Sequence, residues 1–307
     1  MNRVISFIKQ YKYFLLLHFT VFLWGFTGVL GKLIEGSSLQ ITILRTSIAF
    51  TSLLLYLIIG RKMKKIPIKH ILQYLGVGVI IGFHWYAFFE SIHQSNVSVA
   101  LTCLASASLF VAILNPFIGT QKVFKPYELL LGLMAILGIY IVFNFEGQYT
   151  LGIILGLITS FLGAVFTIIN GNFIDRKDDA THITLYEMLG ACITIGICGL
   201  FNSEFTLDFQ FGFNDWIYVI ILGTLCTAFA FLLGIYVMKE VSAYTVTMTV
   251  NLEPIYSIAM ALIIFKEDEH MSQGFYLGAF IIMLSIFLNG IISKRLRNKA
   301  KLKPVDK

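Results

Sequence analysis

Residues 147–174, GQYTLGIILGLITSFLGAVFTIINGNFI, carry no charged side chain and decide the fold. About 20 apolar residues cross the roughly 30 Å hydrocarbon core of a bilayer as a helix. The stretch exceeds that length and has apolar residues on every helical face. Comparable charge-free runs occur at residues 13–31, 71–89, 91–121, 216–238 and 270–293. The sequence therefore predicts several membrane-crossing helices.

The composition of the whole chain agrees with that interpretation. Of 307 residues, 57% are hydrophobic and 13% charged, with a mean hydropathy of +0.82. Soluble domains carry about 25% charged residues, and a globule of this size cannot bury so much apolar surface. A membrane β-barrel would need strands of about ten alternating apolar and polar residues, which these runs lack. We therefore predict an all-α polytopic membrane protein.

The apolar runs divide into ten predicted transmembrane helices joined by short loops. The predicted spans are residues 13–34, 39–60, 70–92, 97–119, 127–144, 151–172, 181–201, 214–238, 243–265 and 273–292.

Lysine and arginine concentrate in alternate loops and at both ends of the chain, as expected for a cytoplasmic face. Lys32 and Lys266 fall on the other face, and Arg45 falls inside a span. We predict that the amino and carboxyl ends are cytoplasmic and that the protein is integral to the plasma membrane, of the bacterial cytoplasmic type. The net charge of +6 reflects this topology and does not predict nucleic-acid binding.

The chain also contains a faint internal repeat. A shift of 146 residues aligns Leu131-Gly132 with Leu277-Gly278, and a shift of 142 aligns Ile41-Thr42 with Ile183-Thr184. Five spans per repeat is an odd number, so the second repeat would enter the membrane inverted. We predict a first five-helix repeat at 13–144, a second at 151–292 and a basic cytoplasmic tail at 293–307. Inverted repeats are typical of transporters with a substrate site near the midplane.

Several short motifs identify a resemblance over most of the chain. They are Phe22-Leu23-Trp24-Gly25, Leu44-Arg45, His84-Trp85-Tyr86-Ala87-Phe88-Phe89-Glu90, Asn251-Leu252-Glu253-Pro254, Phe265-Lys266-Glu267 and Gly278. The chain resembles the drug/metabolite transporter superfamily, in the group built from two EamA domains. The resemblance implies a ten-helix fold and transport of small organic molecules. The first repeat departs from the pattern, because Ala107-Ser108 stands opposite Glu253-Pro254 and the proline of that span is Pro116.

The acid in the predicted ninth span is the first candidate functional residue. Glu253 lies about ten residues into the span, or roughly 15 Å along a helix that rises 1.5 Å per residue. Pro254 frees a backbone carbonyl and kinks the helix. Glu253 is predicted either to bind substrate and couple transport to protons, or to serve as a structural acid.

Arg45 and Glu187 occupy matched positions in the two repeats. Inversion would leave roughly 12 Å of depth between them, so a direct salt bridge is not expected. Arg45 is predicted to extend outward or to pair with a nearby carbonyl, with gating as the alternative role. Pro254, Glu187 and Glu253 complete the predicted coupling or gating set.

Aromatic and weakly polar residues in the spans predict a binding cavity for amphipathic solutes. An aromatic belt at the membrane interface is the alternative. The predicted substrate-binding residues are Trp24, His84, Trp85, Tyr86, Glu90, Asn170, Tyr244, Asn251, Glu253 and Tyr256.

The predicted function is secondary transport of small organic molecules by alternating access, as an exporter and with protons as the candidate coupling ion. The alternatives are a membrane-embedded enzyme acting on lipid-linked substrates and a passive channel. No catalytic residue, metal site or cofactor is predicted. The predicted partners are the lipid bilayer, the small-molecule substrate and protons, with a monomer or homodimer as the assembly and no nucleic acid.

Overall fold

The computed structural model describes residues 2–120, 126–202, 206, 208–266 and 271–301, and within these ranges it is helical and without strands. Side chains are described from residue 12 onward, except those of 126, 128–129, 243–244, 248, 286, 289, 293–294 and 296–301. The helices are α1 Asn2–Leu33, α2 Ser38–Ile59, α3 Ile68–His93, α4 Val97–Leu104, α5 Ala107–Ile118, α6 Pro126–Phe145, α7 Thr150–Asp175, α8 Ala180–Leu200, α9 Phe213–Gly223, α10 Ala230–Val237, α11 Ala243–Val250, α12 Glu253–Phe265 and α13 Gln273–Lys301.

Eight helical segments in the described ranges are long and apolar enough to cross a membrane. Three of them combine shorter elements. Helices α4 and α5 form Val97–Ile118, a 3-10 turn at Gly147–Tyr149 precedes α7 in Gly147–Asp175, and a π-helical turn at Thr224–Phe229 joins α9 to α10. Two shorter apolar helices, Leu130–Phe145 and Glu253–Phe265, accompany the eight. The prediction of a helical protein with multiple spans is therefore confirmed for the described part of the chain.

The internal repeat is visible in the helix boundaries. Helix α4 spans 97–104 and α11 spans 243–250, and the two differ by 146 at both ends. Their N-caps follow the same shift, because Asn96 accepts a hydrogen bond from the Val99 N–H and Ser242 accepts one from the Thr245 N–H. Each short helix ends in a two-residue break, after which α5 and α12 begin. The two repeats thus share a broken helix at equivalent positions.

The two breaks have different chemical causes. Pro254 is the second residue of α12, a position where a helix needs no N–H from it. The break before α5 contains no proline, and there the Cys103 carbonyl accepts hydrogen bonds from Ser106 Oγ and Ser160 Oγ, both at 2.6 Å. The predicted kink at Pro254 is thus present, while the sequence analysis missed its counterpart before α5.

Close backbone contacts hold helices of the two repeats together. Helix α3 packs on α7 and α8, α2 packs on α8 and α9, and α1 packs on α10 and α12. At the contact of α3 with α8, a Cβ added to Gly78 would lie 2.8 Å from the Gly190 Cα. Small residues allow helices to approach this closely within a membrane. The pairing of helices from different repeats leaves a cavity between them.

Candidate functional site

The cavity has a volume of about 100 Å³. One water needs about 10–15 Å³ of such space, so the cavity holds several waters or one small solute. Both repeats line it, because α2, α3 and α5 face α7, α10 and α12 across it. Its polar lining residues are Thr27, Arg45, His84, Thr167, Asn170, Thr247 and Glu253.

Arg45 on α2 brings a guanidinium group to the cavity. Its side chain is 1% exposed, and its Nε donates a hydrogen bond to Thr227 Oγ1 at 3.0 Å. Thr227 lies in the π-helical turn and donates in turn to the Leu222 carbonyl at 2.6 Å. The guanidinium carbon lies 4.1 Å from the centre of the Trp85 ring. The expectation that Arg45 extends outward is wrong, because the π-helical turn supplies a buried acceptor and Trp85 an aromatic face.

One nitrogen of this guanidinium is left over. Arg45 Nη1 is buried and has no hydrogen-bond partner among the described residues. A guanidinium carries five N–H donors, which suit a planar acceptor such as a carboxylate. Arg45 is therefore held in place at one edge and available to an anion at another.

Glu253 supplies the opposite charge. It is the first residue of α12 and is 5% exposed, so the unpaired N–H groups of the helix N-terminus favour negative charge there. No described hydrogen bond includes its carboxyl group, and the charged residue that acts on it is Arg45, in the same cavity. A buried carboxylate without a partner is costly in an apolar environment. The carboxylate is therefore available to a cationic group in the cavity.

Two further lining residues have unused polar atoms. Thr27 Oγ1 and Asn170 Oδ1 are buried and have no hydrogen-bond partner in the described part of the chain. Asn170 Nδ2 lies 3.5 Å from Glu187 Oε2, which places Glu187 directly behind the wall. His84, by contrast, donates its Nδ1–H to the Thr159 carbonyl at 2.8 Å. Buried polar groups are normally paired, so this concentration of free atoms at one cavity indicates a ligand site.

Aromatic rings form the apolar part of the wall. Trp85 and Phe231 meet edge to face with ring centres 5.6 Å apart, and Phe166 lies 5.8 Å from Phe231. Trp24 reaches the cavity beside Gly234, where an added Cβ would lie 2.8 Å from Trp24 Cη2. A shift of 146 relates Trp85 to Phe231, so the repeat itself points to Phe231, which the sequence analysis missed. Thr27, Phe88 and Phe166 are lining residues for which the sequence carried no signal.

The structure brings half of the predicted substrate-binding residues to the cavity. These are Trp24, His84, Trp85, Asn170 and Glu253, and Arg45 of the coupling or gating set joins them.

The other predicted residues lie elsewhere. Glu90 accepts hydrogen bonds from Ser38 and Gln94 at the far end of α3. Tyr256 packs against Phe22, with ring centres 5.8 Å apart.

Three more candidates lie outside the lining. Tyr86 is half-buried, Asn251 is buried in the break before α12, and Pro254 is buried behind Glu253. The side chain of Tyr244 lies outside the described residues. Amphipathic spacing indicates a face of a helix, and helix packing decides which part of that face meets the cavity.

A second group of charges lies at one end of the helix bundle, outside the cavity. Asp178 accepts hydrogen bonds from the Tyr74 hydroxyl at 2.8 Å and from Arg176 Nε at 2.9 Å. Asp179 accepts from Lys64 Nζ at 2.8 Å and from His182 Nδ1 at 2.9 Å. We call these six residues the loop cluster.

Pairing shifts the titration of the loop cluster. Partial burial opposes ionisation of Asp179, but the hydrogen bonds from Lys64 and His182 outweigh it and hold the pKa of this carboxyl well below its usual range. The hydrogen bond to Asp178 raises the pKa of Arg176. Neighbouring protein groups therefore stabilise Asp179 and Arg176 in their ionised forms.

Comparison with known proteins identifies relatives across most of the chain. The model of the EamA-like transporter family matches residues 12–144 and 150–291. An uncharacterized transporter of Archaeoglobus fulgidus is 22% identical over 269 residues, which cover 87% of this chain and 92% of that one. The uncharacterized transporter YoaV of Bacillus subtilis is 22% identical over 282 residues, with the same two coverages.

A solved structure described as "Crystal structure of protein" has the same fold, with a TM-score of 0.67 and 14% sequence identity. The similarity covers 92% of this chain and 99% of that one. The resemblance to proteins with two EamA domains is thereby confirmed.

Proposed function

Since this chain belongs to the EamA-like transporter family, we propose that it is a secondary transporter that moves small organic solutes across the plasma membrane by alternating access. The observation that carries the proposal is the cavity between the repeats, where Arg45, Thr27 and Asn170 have buried polar atoms that the described residues leave unpaired. Glu253 adds a buried acid to the same cavity. A site between two repeats can open to either side when one repeat rocks against the other.

The proposed architecture is ten spans in two inverted five-helix repeats. The contact of α6 with α13 supports the inversion. A Cβ added to Gly138 would lie 2.7 Å from the Gly278 oxygen and 3.1 Å from the Ile282 nitrogen. One added to Gly278 would lie 2.7 Å from the Gly138 oxygen and 3.1 Å from the Val142 nitrogen. Each glycine thus contacts the glycine of the other helix and the residue four positions after it. This reciprocal pattern fits two antiparallel helices related by a local two-fold axis.

Contacts between loops support the proposed membrane orientation. The loop after α2 meets the loop after α7 through Lys64 and Asp179, at 2.8 Å. On the opposite side, the Glu35 N–H donates to Asp215 Oδ1 at 3.1 Å, and the Ser272 N–H donates to Glu146 Oε1 at 3.0 Å. When each loop is numbered by the predicted span that precedes it, even-numbered loops contact one another and odd-numbered loops contact one another. Because the even-numbered loops carry most of the basic residues, we assign them and both chain ends to the cytoplasm.

The cavity chemistry favours a small zwitterion with an apolar body, such as an amino acid with an apolar side chain. Arg45 Nη1 would bind a carboxylate as a charge-assisted hydrogen bond. Glu253 and Asn170 Oδ1 would accept hydrogen bonds from an ammonium group. The rings of Trp85, Phe166 and Phe231 would surround the apolar body. A solute with one charge of each sign leaves neither Arg45 nor Glu253 unpaired, which a singly charged solute does not achieve.

The lining also favours loading from the cytoplasm. Met238 and Val246 line the cavity and lie within a few residues of the loop that joins α10 to α11, on the side assigned to the cytoplasm. Toward the opposite side, Phe88, Phe89, Leu101, Val219 and Leu222 pack into one buried apolar cluster. The cavity is therefore separated from the outside by apolar side chains and lies close to the cytoplasmic loop, which is the arrangement expected when an exporter loads its substrate.

Counterflow in liposomes tests this function. Purified protein would be reconstituted into vesicles loaded with unlabelled leucine, phenylalanine, lysine, glutamate or a cationic drug, and entry of the labelled form would be followed. We expect exchange to saturate and to be fastest for leucine and phenylalanine. An open channel would show neither saturation nor counterflow. Absence of exchange for every member of a broader metabolite panel would refute the transporter proposal.

A further inference from the structure

Glu187 on α8 is a carboxyl group buried behind the cavity. Its side chain is 0% exposed, and its contact with Asn170 Nδ2 at 3.5 Å is its hydrogen bond to the described residues. Glu187 Oε1 and Asn170 Oδ1 are both buried without a partner. Because Asn170 lines the cavity and Glu187 does not, the amide lies between the carboxyl group and any bound solute.

Charged and titratable groups on the helices around α8 have other described partners. Arg45 of α2 bonds to Thr227, and Tyr74 and His84 of α3 bond to Asp178 and to the Thr159 carbonyl. Tyr236 of α10 stacks on Tyr13, and Asp175 at the end of α7 accepts from Thr120. On α8 itself, His182 bonds to Asp179, Tyr186 stacks on Tyr74, and Cys192 contacts Ser47. Within the described residues, Glu187 therefore has no ion pair to hold a fixed charge.

Packing restricts the route by which a proton can reach Glu187. A Cβ added to Gly190 would lie 3.0 Å from the Leu75 Cα, and one added to Gly78 would lie 2.8 Å from the Gly190 Cα, so α3 and α8 are in backbone contact one turn from Glu187. On the opposite flank, Ser47 of α2 lies 3.1 Å from Cys192 of α8. Asn170, which lines the cavity and contacts Glu187, provides a path from the cavity to the carboxyl group.

The chemistry of an amide beside a carboxyl group depends on the proton. An ionised carboxylate only accepts, so Asn170 donates an N–H to it and leaves Oδ1 free, which is the arrangement in the structure. A protonated carboxyl group has one O–H to donate, and Asn170 Oδ1 is its nearest free acceptor. Protonation would therefore bring Glu187 Oε1 and Asn170 Oδ1 together as donor and acceptor.

From this geometry we infer that Glu187 is the proton site of the carrier and that Asn170 makes proton binding and substrate binding mutually exclusive. The inference rests on the proposed transport function and names its coupling. With Glu187 ionised, Asn170 Oδ1 is free to accept from the ammonium group of a substrate. With Glu187 protonated, the amide turns so that Oδ1 accepts from Glu187 and the Nδ2–H donors face the cavity, and the contact with the ammonium group is lost. The proton enters from cavity water on one side and returns to cavity water on the other, so the cycle exchanges one proton for one substrate.

A measurement without substrate tests the proton site. Infrared spectra of the purified protein would be recorded as difference spectra across a pH titration. We expect a band of a buried carboxylic acid that changes with pH in the wild type and is missing in Glu187→Gln. It should persist in Glu146→Gln, a matched control in which a buried acid outside the cavity is replaced. Persistence of the same band in Glu187→Gln would overturn the inference.

A transport measurement tests the exclusion. Liposomes with an acidic interior and a membrane potential clamped by potassium and valinomycin would be given external labelled leucine. A gradient of one pH unit can sustain at most about tenfold accumulation for a one-to-one exchange. We expect accumulation near that limit in the wild type and no accumulation in Glu187→Gln. Counterflow in this variant should persist at a raised leucine concentration, because the glutamine amide donates to Asn170 Oδ1 as the protonated acid does. Accumulation driven instead by an acidic exterior would overturn the exchange of proton for substrate.

Two further variants keep the result interpretable. Asn170→Ala removes the amide, so we expect weaker leucine binding and loss of the competition between protons and leucine. Glu253→Gln should weaken binding but retain accumulation, whereas the assignment of coupling to Glu253 predicts the reverse. If the wild-type protein transports nothing, the proposed function fails, and the infrared titration still decides whether Glu187 holds a proton.

Discussion

The cavity and the loop cluster contain the same kinds of charged groups in opposite arrangements. In the loop cluster, Asp178 bonds to Tyr74 and Arg176, and Asp179 bonds to Lys64 and His182. In the cavity, Arg45 has one hydrogen bond, to Thr227, and an unpaired Nη1. Glu253 is a buried acid at the N-terminus of α12 whose charge interacts with that of Arg45.

This difference separates charges that stabilise the fold from charges that are available to a ligand. A buried charge lowers the free energy of the folded state only when protein groups compensate its lost hydration. The loop cluster meets that condition, and the cavity does not. In the cavity, no described protein group compensates the lost hydration of Arg45 Nη1. The predictions below test this separation.

The largest effect is expected at Arg45. Removing one partner of a buried charge pair costs about 2–5 kcal/mol of binding free energy, so Arg45→Gln should lower leucine kcat/KM on the order of a hundredfold. Arg45→Lys keeps the charge without the planar fork, so its leucine kcat/KM should lie between those of the wild type and of Arg45→Gln. The matched control is Arg176→Gln in the loop cluster, for which uptake per folded molecule should stay near that of the wild type. Equal losses of leucine transport in Arg45→Gln and Arg176→Gln would contradict the distinction between the cavity and the loop cluster.

A smaller effect is expected at Glu253. Glutamine keeps the shape and an acceptor oxygen but loses the charge, and hydrogen bonds to charged groups exceed neutral ones by about 1 kcal/mol. Glu253→Gln should therefore raise the apparent leucine KM about fivefold by the usual conversion of free energy. Glu240→Gln, at an exposed position outside the cavity, serves as control. An unchanged KM in Glu253→Gln would show that this carboxylate does not contact the solute.

In the loop cluster, substitutions should change stability instead of transport. Asp178→Ala leaves the buried Tyr74 hydroxyl without its acceptor, which costs about 1–3 kcal/mol of unfolding free energy. Tyr74→Phe removes the hydroxyl itself, so no buried donor is left unpaired and the loss of unfolding free energy should be smaller than in Asp178→Ala. Thermal unfolding of the detergent-purified protein measures both. A loss of counterflow in Asp178→Ala without a fall in unfolding temperature would contradict a structural role.

The smallest effect is expected at Asp179 and should depend on pH. Its pKa is lower in the folded protein than in the unfolded chain, so its charge contributes stability above the unfolded value, about 3.9, and that contribution is lost as pH falls below it. Asp179→Asn retains an N-cap for α8 and removes the charge. The unfolding temperature of the variant should lie below that of the wild type at neutral pH, and the gap should close in acid. A gap that widens in acid would contradict the assignment.

Sequence reasoning located the elements well because their signals are local. Hydropathy marked the spans, and the shift of 146 between the repeats reappears in the boundaries of α4 and α11. Pro254 marked the break before α12. The equivalent break before α5 was missed because it depends on Ser160, which bonds to the Cys103 carbonyl from another helix 57 residues away.

For the same reason, only half of the predicted substrate-binding residues line the cavity. Trp85 and Glu253 line the cavity as expected, whereas Glu90 bonds to Ser38 and Tyr256 packs on Phe22. All four are polar or aromatic residues in apolar helices, and their sequence signals are alike. Phe231 was recoverable from the repeat, because it corresponds to Trp85.

The sequence by itself determined that this chain forms helices that span a membrane and that it consists of two related repeats. It could do so because each helix satisfies its backbone hydrogen bonds within its own segment, so composition along the chain is sufficient. The tertiary structure alone decided which charges remain unpaired. Arg45 meets Thr227 across 182 residues of sequence, and such contacts depend on how each helix is rotated against its neighbours, which no local pattern encodes.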